Sequence, residues 1–431
     1  MILSLDQVFV SGRAALLQMA GRVLPPVLMP WLSILMTIVV IAALAPAVMM
    51  YLTLIERKLL ARMQNRLGPT RVGVYGLLQP LADGLKMLIK EDLVPRGADP
   101  LVHLLAPIMA VVPAILLFAV IPFGRNMAPA NLNVGLLYFL AVSSVSSYAI
   151  FMGAWASRSK FPVIGAMRAV AQIISYEVPG VLSVVALMMV TGTMSLVGIV
   201  EAQRDQWFIA TPWGFVGGVI LFLSGIAEVN RTPFDMPEAE SELVGGFHTE
   251  YSGMKFALWY MAEFLEAFMV CAITVTCFLG GWHGPAIPFW TLGLLLSVIF
   301  GTATRMWWPA RAVLTLALLG ATVVFGTQPI PSWAWFTLKT YALVFVLVWL
   351  RGTFPRLRVD QLMGLAWKFL LPMALVNVLA AGVWVLYRRP VLGPLTAGTL
   401  ASTVMLVAAY AIFVRLNRPA PLERRTYLLA D

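Results

Sequence analysis

Charged side chains are scarce in this sequence, 12% of its 431 residues against roughly 25% in soluble domains. That deficit, beside 60% hydrophobic residues, excludes a soluble enzyme, because a chain that is apolar on all sides needs hydrocarbon around it. Cysteine is rarer still. Cys271 and Cys277 fall inside one apolar run and offer neither a zinc nor an iron–sulfur spacing. His103, His248 and His283 are scattered and form no HExxH pattern, so no metal site is expected and any electron carrier must sit elsewhere. The sequence also lacks an internal repeat, a low-complexity tract, and a cleavable start of basic, apolar and small-residue regions. A formal charge of +10 without a basic run interleaved with aromatics points away from nucleic acid.

What is present is a series of long apolar runs. They recur near 29 to 52, 101 to 122, 134 to 156, 178 to 200, 213 to 229, 256 to 281, 288 to 304, 312 to 327, 333 to 350, 365 to 387 and 393 to 414. The runs at 288 to 304 and 312 to 327 are short for a bilayer core about 30 Å thick. The expectation is therefore an all-α, polytopic transmembrane bundle of nine full spans, with a possible extra hairpin within 284–332, forming one domain over 1–431. Residues 1–28, which carry Asp6, Arg13 and Arg22, read as a helix lying in the interface or as a partial insertion.

Basic residues set the orientation. With the N-terminal segment outside, the inside segments hold 23 of the 30 Lys and Arg, and Arg388–Arg389 is the one pair against the rule. Two inside loops, 53–100 and 230–255, are long, polar and punctuated by Gly and Pro, as working loops are. They are placed to close over a chamber or to dock a soluble partner. The first carries eight bases and five acids; composition alone describes a solvated loop, but Asp83, Lys86 and Lys90 fall on one helical face. The second has the opposite sign: Glu228, Asp235, Glu238, Glu240, Glu242 and Glu250 face only Arg231 and Lys255. Crowded carboxylates raise one another's pKa and can hold protons near neutral pH, although pairing with bases on a partner protein accounts for them equally.

Three further carboxylates lie at or within apolar runs: Glu177 in SYEVPG, and Glu263 and Glu266 in WYMAEFLEAF. A charged carboxylate at a helix centre costs about 2.5 to 3.5 kcal/mol on insertion scales, so such groups are protonated, paired or facing a wet interior. A proton path is the default expectation for them. Glu177, at the edge of its run, is also compatible with snorkelling to the headgroups. Glu263 and Glu266 share a face with Tyr260.

Four separated motifs then resemble one family. ERKLLARMQNRLGPTRVGVYGLLQPLADGLKMLIKED, SKFPVIGAMRAVAQIISYEVPG at 159 to 180, AEVNRTPFDMPEAESELVGGFHTEYSG at 227 to 253 and RLRVDQLMGLAWKFLLP at 356 to 372 closely resemble the H-subunit family of NADH-quinone oxidoreductase, respiratory complex I. The resemblance implies a multi-pass component of the cell inner membrane, with long loops and C-terminus cytoplasmic, at the junction of the membrane and peripheral arms. It implies a lipid quinone as substrate. FMN and iron–sulfur clusters would sit in partner subunits and none on this chain. Its partners would be the bilayer, the soluble iron–sulfur and quinone-site subunits, and the other membrane-arm subunits.

By motif match, the resemblance implies that Arg57, Arg66, Asp83, Arg231 and Phe234 serve the quinone chamber. It further implies that Glu228, Asp235, Glu238, Glu240 and Glu242 join the chamber to the proton path, and that Glu177 and Glu263 are its intramembrane carboxylates. The stretch from about 284 to 332 and the span after Arg389 exceed the usual eight-span pattern, and His248 stands where Asn or another polar residue is expected. Two other readings compete. A membrane component of a related energy-converting hydrogenase would carry a weaker acidic-loop motif, and a free-standing ion transporter would show an inverted repeat.

Overall fold

The computed structural model describes residues 6–22, 25–236, 245–284, 331–387, 390–392 and 395–416. In chain order its helices are α1 (Val8–Ala20), α2 (Met29–Met63), α3 (Gln79–Ile89), α4 (Pro100–Leu117), α5 (Gly135–Ser143), α6 (Val145–Ala156), α7 (Lys160–Thr191), α8 (Leu196–Glu201), α9 (Pro212–Glu228) and α10 (Gly253–Phe278). They continue with α11 (Ser332–Thr353), α12 (Val359–Leu365), α13 (Leu371–Leu386) and α14 (Ala397–Leu416). A two-stranded antiparallel ribbon, β1 (Pro390–Leu392) with β2 (Leu395–Thr396), turns the chain between α13 and α14.

Among the described residues, eight helices are long and apolar enough to cross a membrane, counting α5–α6 as one and α12–α13 as one, and α9 falls just short at 17 residues. Those nine match the nine full spans expected. The chain is an all-α polytopic membrane protein. With 13 residues and about 1.5 Å of rise per residue, α1 is too short to span, and none of its residues is buried. The possible extra hairpin at 288 to 304 and 312 to 327 lies outside the described residues, as does Arg388–Arg389. Around Pro372, which has no N–H to donate, a π-helical turn at Ala366–Leu370 joins α12 to α13.

Two boundaries differ from expectation, and both bear on the site. Residues 53 to 63, expected in a loop, continue α2, because TLIERKLLARM contains good helix formers up to the left-handed Asn65. Residues 160 to 177, which precede the apolar run expected at 178 to 200, are the first half of α7. Hydropathy marks Lys160, Arg168 and Glu177 as polar, but the buried Gly165, Ala166, Ala169, Gln172, Ile173 and Tyr176 recur at helical spacing. Glu177 is thus mid-helix rather than at a span edge, which removes the premise of the snorkelling alternative.

The centre of the bundle is α10, 83% buried over its apolar window. Against it α9 approaches closely through glycine: a Cβ on Gly225 would collide with Val270 of α10, and one on Gly217 would meet Phe278. On its other side α9 meets α7, where Ser183 Oγ donates to the Gly217 carbonyl at 2.6 Å and Gly180 packs on Ser224. This close approach brings the Glu228 end of α9 between Glu177 on α7 and Glu266 on α10.

Candidate functional site

A buried ion network ties four segments together. Arg231, in the turn after α9 and only 3% exposed, donates from Nη1 to both oxygens of Glu56 on α2, at 2.9 Å each. Its Nε lies 2.6 Å from Glu263 on α10, and its guanidinium sits 4.2 Å from the Phe264 ring centre. Arg351, in the last turn of α11, also pairs with Glu56. Two arginines against two glutamates compensate each other, as a buried charge cluster requires.

The turn that presents Arg231 is held by Gln172 of α7. The Gln172 amide nitrogen donates to the carbonyls of Ala227 (2.7 Å) and Phe234 (2.8 Å) and to Asn230 Oδ1 (3.1 Å). Asn230 is left-handed, and the Arg231 N–H returns to the Ile226 carbonyl at 3.3 Å. Phe234 is 2% exposed and packs edge-on against Tyr176, whose hydroxyl donates to the Leu362 carbonyl at 2.9 Å. The Phe234 ring therefore faces protein rather than open space. Asp235 follows it, within electrostatic reach of Glu263.

Two small cavities, each about 30 Å³, lie among the buried carboxyls. That is room for about two waters apiece, at roughly 10–15 Å³ each. Glu177 and Glu228 line one, with Ser143 and Ser224. Glu263 and Glu266 line the other, with Ser146 and Asn230. Ser144 donates to Glu177, and Ser143 makes a side-chain hydrogen bond with Glu228. Such an array can exchange protons through water.

At the exposed end of α2, Arg57 Nη1 lies 2.6 Å from Asp83 Oδ2, and Gln79 (3.2 Å) and Lys86 (3.3 Å) donate to the other oxygen. Burial pushes the Asp83 carboxyl up, but Arg57, with Gln79 and Lys86, outweighs it and holds the pKa below its ordinary value. Asp83 and Lys86 share one face of α3 as their spacing predicted, and Lys90 is its C-cap. Arg66 donates to Gln64 at 2.8 Å, and among the described residues no contact ties it to Arg57 or Asp83. The two loops meet through Lys255 and Asp92 (2.9 Å) and through Ser252 Oγ, which accepts from the Leu93 N–H at 2.7 Å.

The structure therefore brings Glu177, Glu228, Asp235, Glu263 and Arg231 together in one buried region and places the Arg57–Asp83 pair at the end of α2, one residue beyond Glu56. Glu238, Glu240 and Glu242 lie outside the described residues. Sequence reasoning left out Glu56, Arg351 and Gln172 as site residues; it marked Glu266 as a proton-path candidate, and the family resemblance gave it no assignment. Glu266 carried the signal of a charge in an apolar run. The other three carried none that separates them from ordinary helix residues. Among the described residues no three of His, Cys, Asp and Glu are grouped as metal ligands.

The sequence profile of the NADH dehydrogenase family matches residues 35–382. The first of the numbered H-subunits of NADH-quinone oxidoreductase from Geobacter metallireducens is 45% identical over 349 residues, covering 79% of this chain and 92% of that protein. The H-subunit from Geobacillus kaustophilus is 44% identical over 343 residues, 79% of this chain and 90% of its own. The H-subunit from Dehalococcoides mccartyi strain CBDB1 is 40% identical over 388 residues, 90% and 97% respectively.

Proposed function

The chain belongs to the H-subunit family of NADH-quinone oxidoreductase, and from that premise we propose that it forms part of the quinone chamber and couples quinone reduction to proton translocation through its buried carboxyls. It is a subunit of an oxidoreductase complex; electrons reach the quinone from FMN and iron–sulfur clusters held by partner subunits. The loops 53–100 and 230–255 and the C-terminus face the cytoplasm, where the peripheral arm docks, in the orientation that the excess of inside Lys and Arg favours. The remaining membrane-arm subunits flank it in the inner membrane.

The observation that carries the reading is Arg231, one cation touching both Glu56 and Glu263. Glu56 adjoins Arg57 and its partner Asp83, which with Arg66 edge the chamber; Arg231 lies beneath it, and Phe234, packed on Tyr176, backs the turn that presents Arg231. Quinone gains two electrons and two protons to become quinol. The charge that develops before protons arrive draws on the nearby guanidinium groups and loosens the hold of Arg231 on its carboxylates. Each unit of pKa change that follows is worth about 1.36 kcal/mol. Protonation then shifts among Asp235, Glu263, Glu228 and Glu177, with Glu238, Glu240 and Glu242 serving the same route.

Glu263→Gln in the assembled enzyme tests this. The variant is expected to assemble and to lose proton translocation, together with much of the quinone turnover coupled to it. A photoreactive quinone analogue is expected to label the loops at 53–100 and 230–255. Normal translocation by the variant removes Glu263 from the path, and labelling confined to other subunits removes the chamber from this chain.

A further inference from the structure

The two cavities share their walls. The α5–α6 span gives Ser143 to one and Ser146 to the other; the end of α9 gives Glu228 and then Asn230; α10 gives Val270 and Glu266. Along α5–α6 and α10 these offsets are three or four residues, roughly 4.5–6 Å of rise. The cavities are therefore stacked a single turn apart.

Glu266 stands at the junction. It lines the cavity that holds Glu263, and its carboxyl is within electrostatic reach of both Glu263 and Glu228, the latter lining the other cavity. Glu263 is held by Arg231, Glu177 by Ser144 and Glu228 by Ser143. By contrast, among the described residues no group hydrogen-bonds or ion-pairs with Glu266. An unpaired carboxyl at membrane depth needs water or a proton. The cavity it faces has the volume for water and offers Ser146 and Asn230 as further polar contacts.

We propose that Glu266 is the proton relay between the two cavities, exchanging a proton with Glu263 through water on one side and with Glu228 on the other. In each exchange one carboxyl O–H bond breaks and another forms. No electron moves, and the summed charge of the carboxyls is unchanged. The relay rests on the proton-path reading above and adds to it a residue that the motif match does not assign.

The experiment uses the assembled enzyme in membrane vesicles. Glu266→Gln, isosteric but unable to carry a proton, is expected to slow NADH-driven proton translocation by about a hundredfold, the lower end of what a positioned proton-transfer group contributes. Electron transfer from NADH to an artificial acceptor that bypasses quinone is expected to stay unchanged. Glu266→Asp keeps the carboxyl, displaced by one methylene, and is expected to translocate at an intermediate rate with a larger solvent deuterium isotope effect. A packing role predicts the reverse order, with Gln tolerated and Asp worse, and that order overturns the proposal. Normal translocation by Glu266→Gln alongside a blocked Glu263→Gln also overturns the relay while leaving the path. Normal translocation by both removes the path itself. If Glu266→Gln does not assemble, Glu266→Asp decides: an unchanged rate and isotope effect overturn the relay.

Discussion

Arg231 Nη1 stands 2.9 Å from each carboxylate oxygen of Glu56, 175 residues away in the chain. The contact fastens the turn after α9 to α2, and the Nε of the same guanidinium fastens it to α10 through Glu263. A planar fork with five donors can serve two carboxylates at once, which a lysine cannot reproduce.

Arg231→Ala leaves two buried carboxylates without their shared cation. The expected cost is about 3–5 kcal/mol, the range for breaking a buried pair from one side. It reads out as a lowered melting temperature and reduced yield of the assembled complex. Arg231→Lys keeps the charge but not the fork and is expected to fall between. An alanine variant as stable as the native complex would show that water or Arg351 replaces the contact.

Gln172→Leu preserves approximate volume and removes the donor that the carbonyls of Ala227 and Phe234 share. Leaving a buried acceptor unmet costs about 1–3 kcal/mol. Because the same turn aims Arg231, proton translocation is expected to fall more than assembly does. The check is the ratio of translocation to NADH oxidation per assembled complex. An unchanged ratio at reduced yield would confine Gln172 to folding.

How legible each part was depends on what a residue must hide. Glu263 and Glu266 were visible as candidates because a carboxylate in an apolar run has no innocent explanation. The nine spans were visible for the converse reason, since a bilayer demands long apolar helices. Glu56 and Arg351 looked like ordinary loop or span-edge charges, and Arg231 was marked by its motif but not by its partners. Their pairing spans 175 and 295 residues and exists only once α2, the turn after α9 and α11 are packed. Gln172 is uncharged and sits in a helix, so nothing local marks its three acceptors. Glu177 was misplaced at a span edge because polar residues lowered the hydropathy of a segment whose small-residue face is buried.

Asp83 gives a pH prediction. Its folded pKa lies below the ordinary 3.8, so its stabilising contribution is complete above that value and is lost only as pH falls through the lower folded one. The stability difference between the native complex and Asp83→Asn is therefore expected to be flat from about pH 5 to 8. Melting temperatures of both across that interval provide the check. A difference that grows or shrinks there would mean that Asp83 titrates in the working range and that Arg57 does not hold it.

His248 has the opposite consequence. It lies between the Phe247 and Phe256 rings, with centroids at 5.0 and 5.3 Å, and burial lowers its pKa from 6.5 to about 4. The unfolded chain takes up the proton near 6.5 while the folded chain resists it. Unfolding therefore binds protons between those values, and stability declines as pH falls. Above 6.5 the contribution is whole; over the full window the loss is of order 3 kcal/mol. His248→Asn cannot charge, so its complex should lose less stability than the native one as pH drops from 6.5 toward 4. Parallel melting curves for the two would show that the imidazole stays neutral in both states or is charged in both. The burial argument requires the native curve to be the steeper.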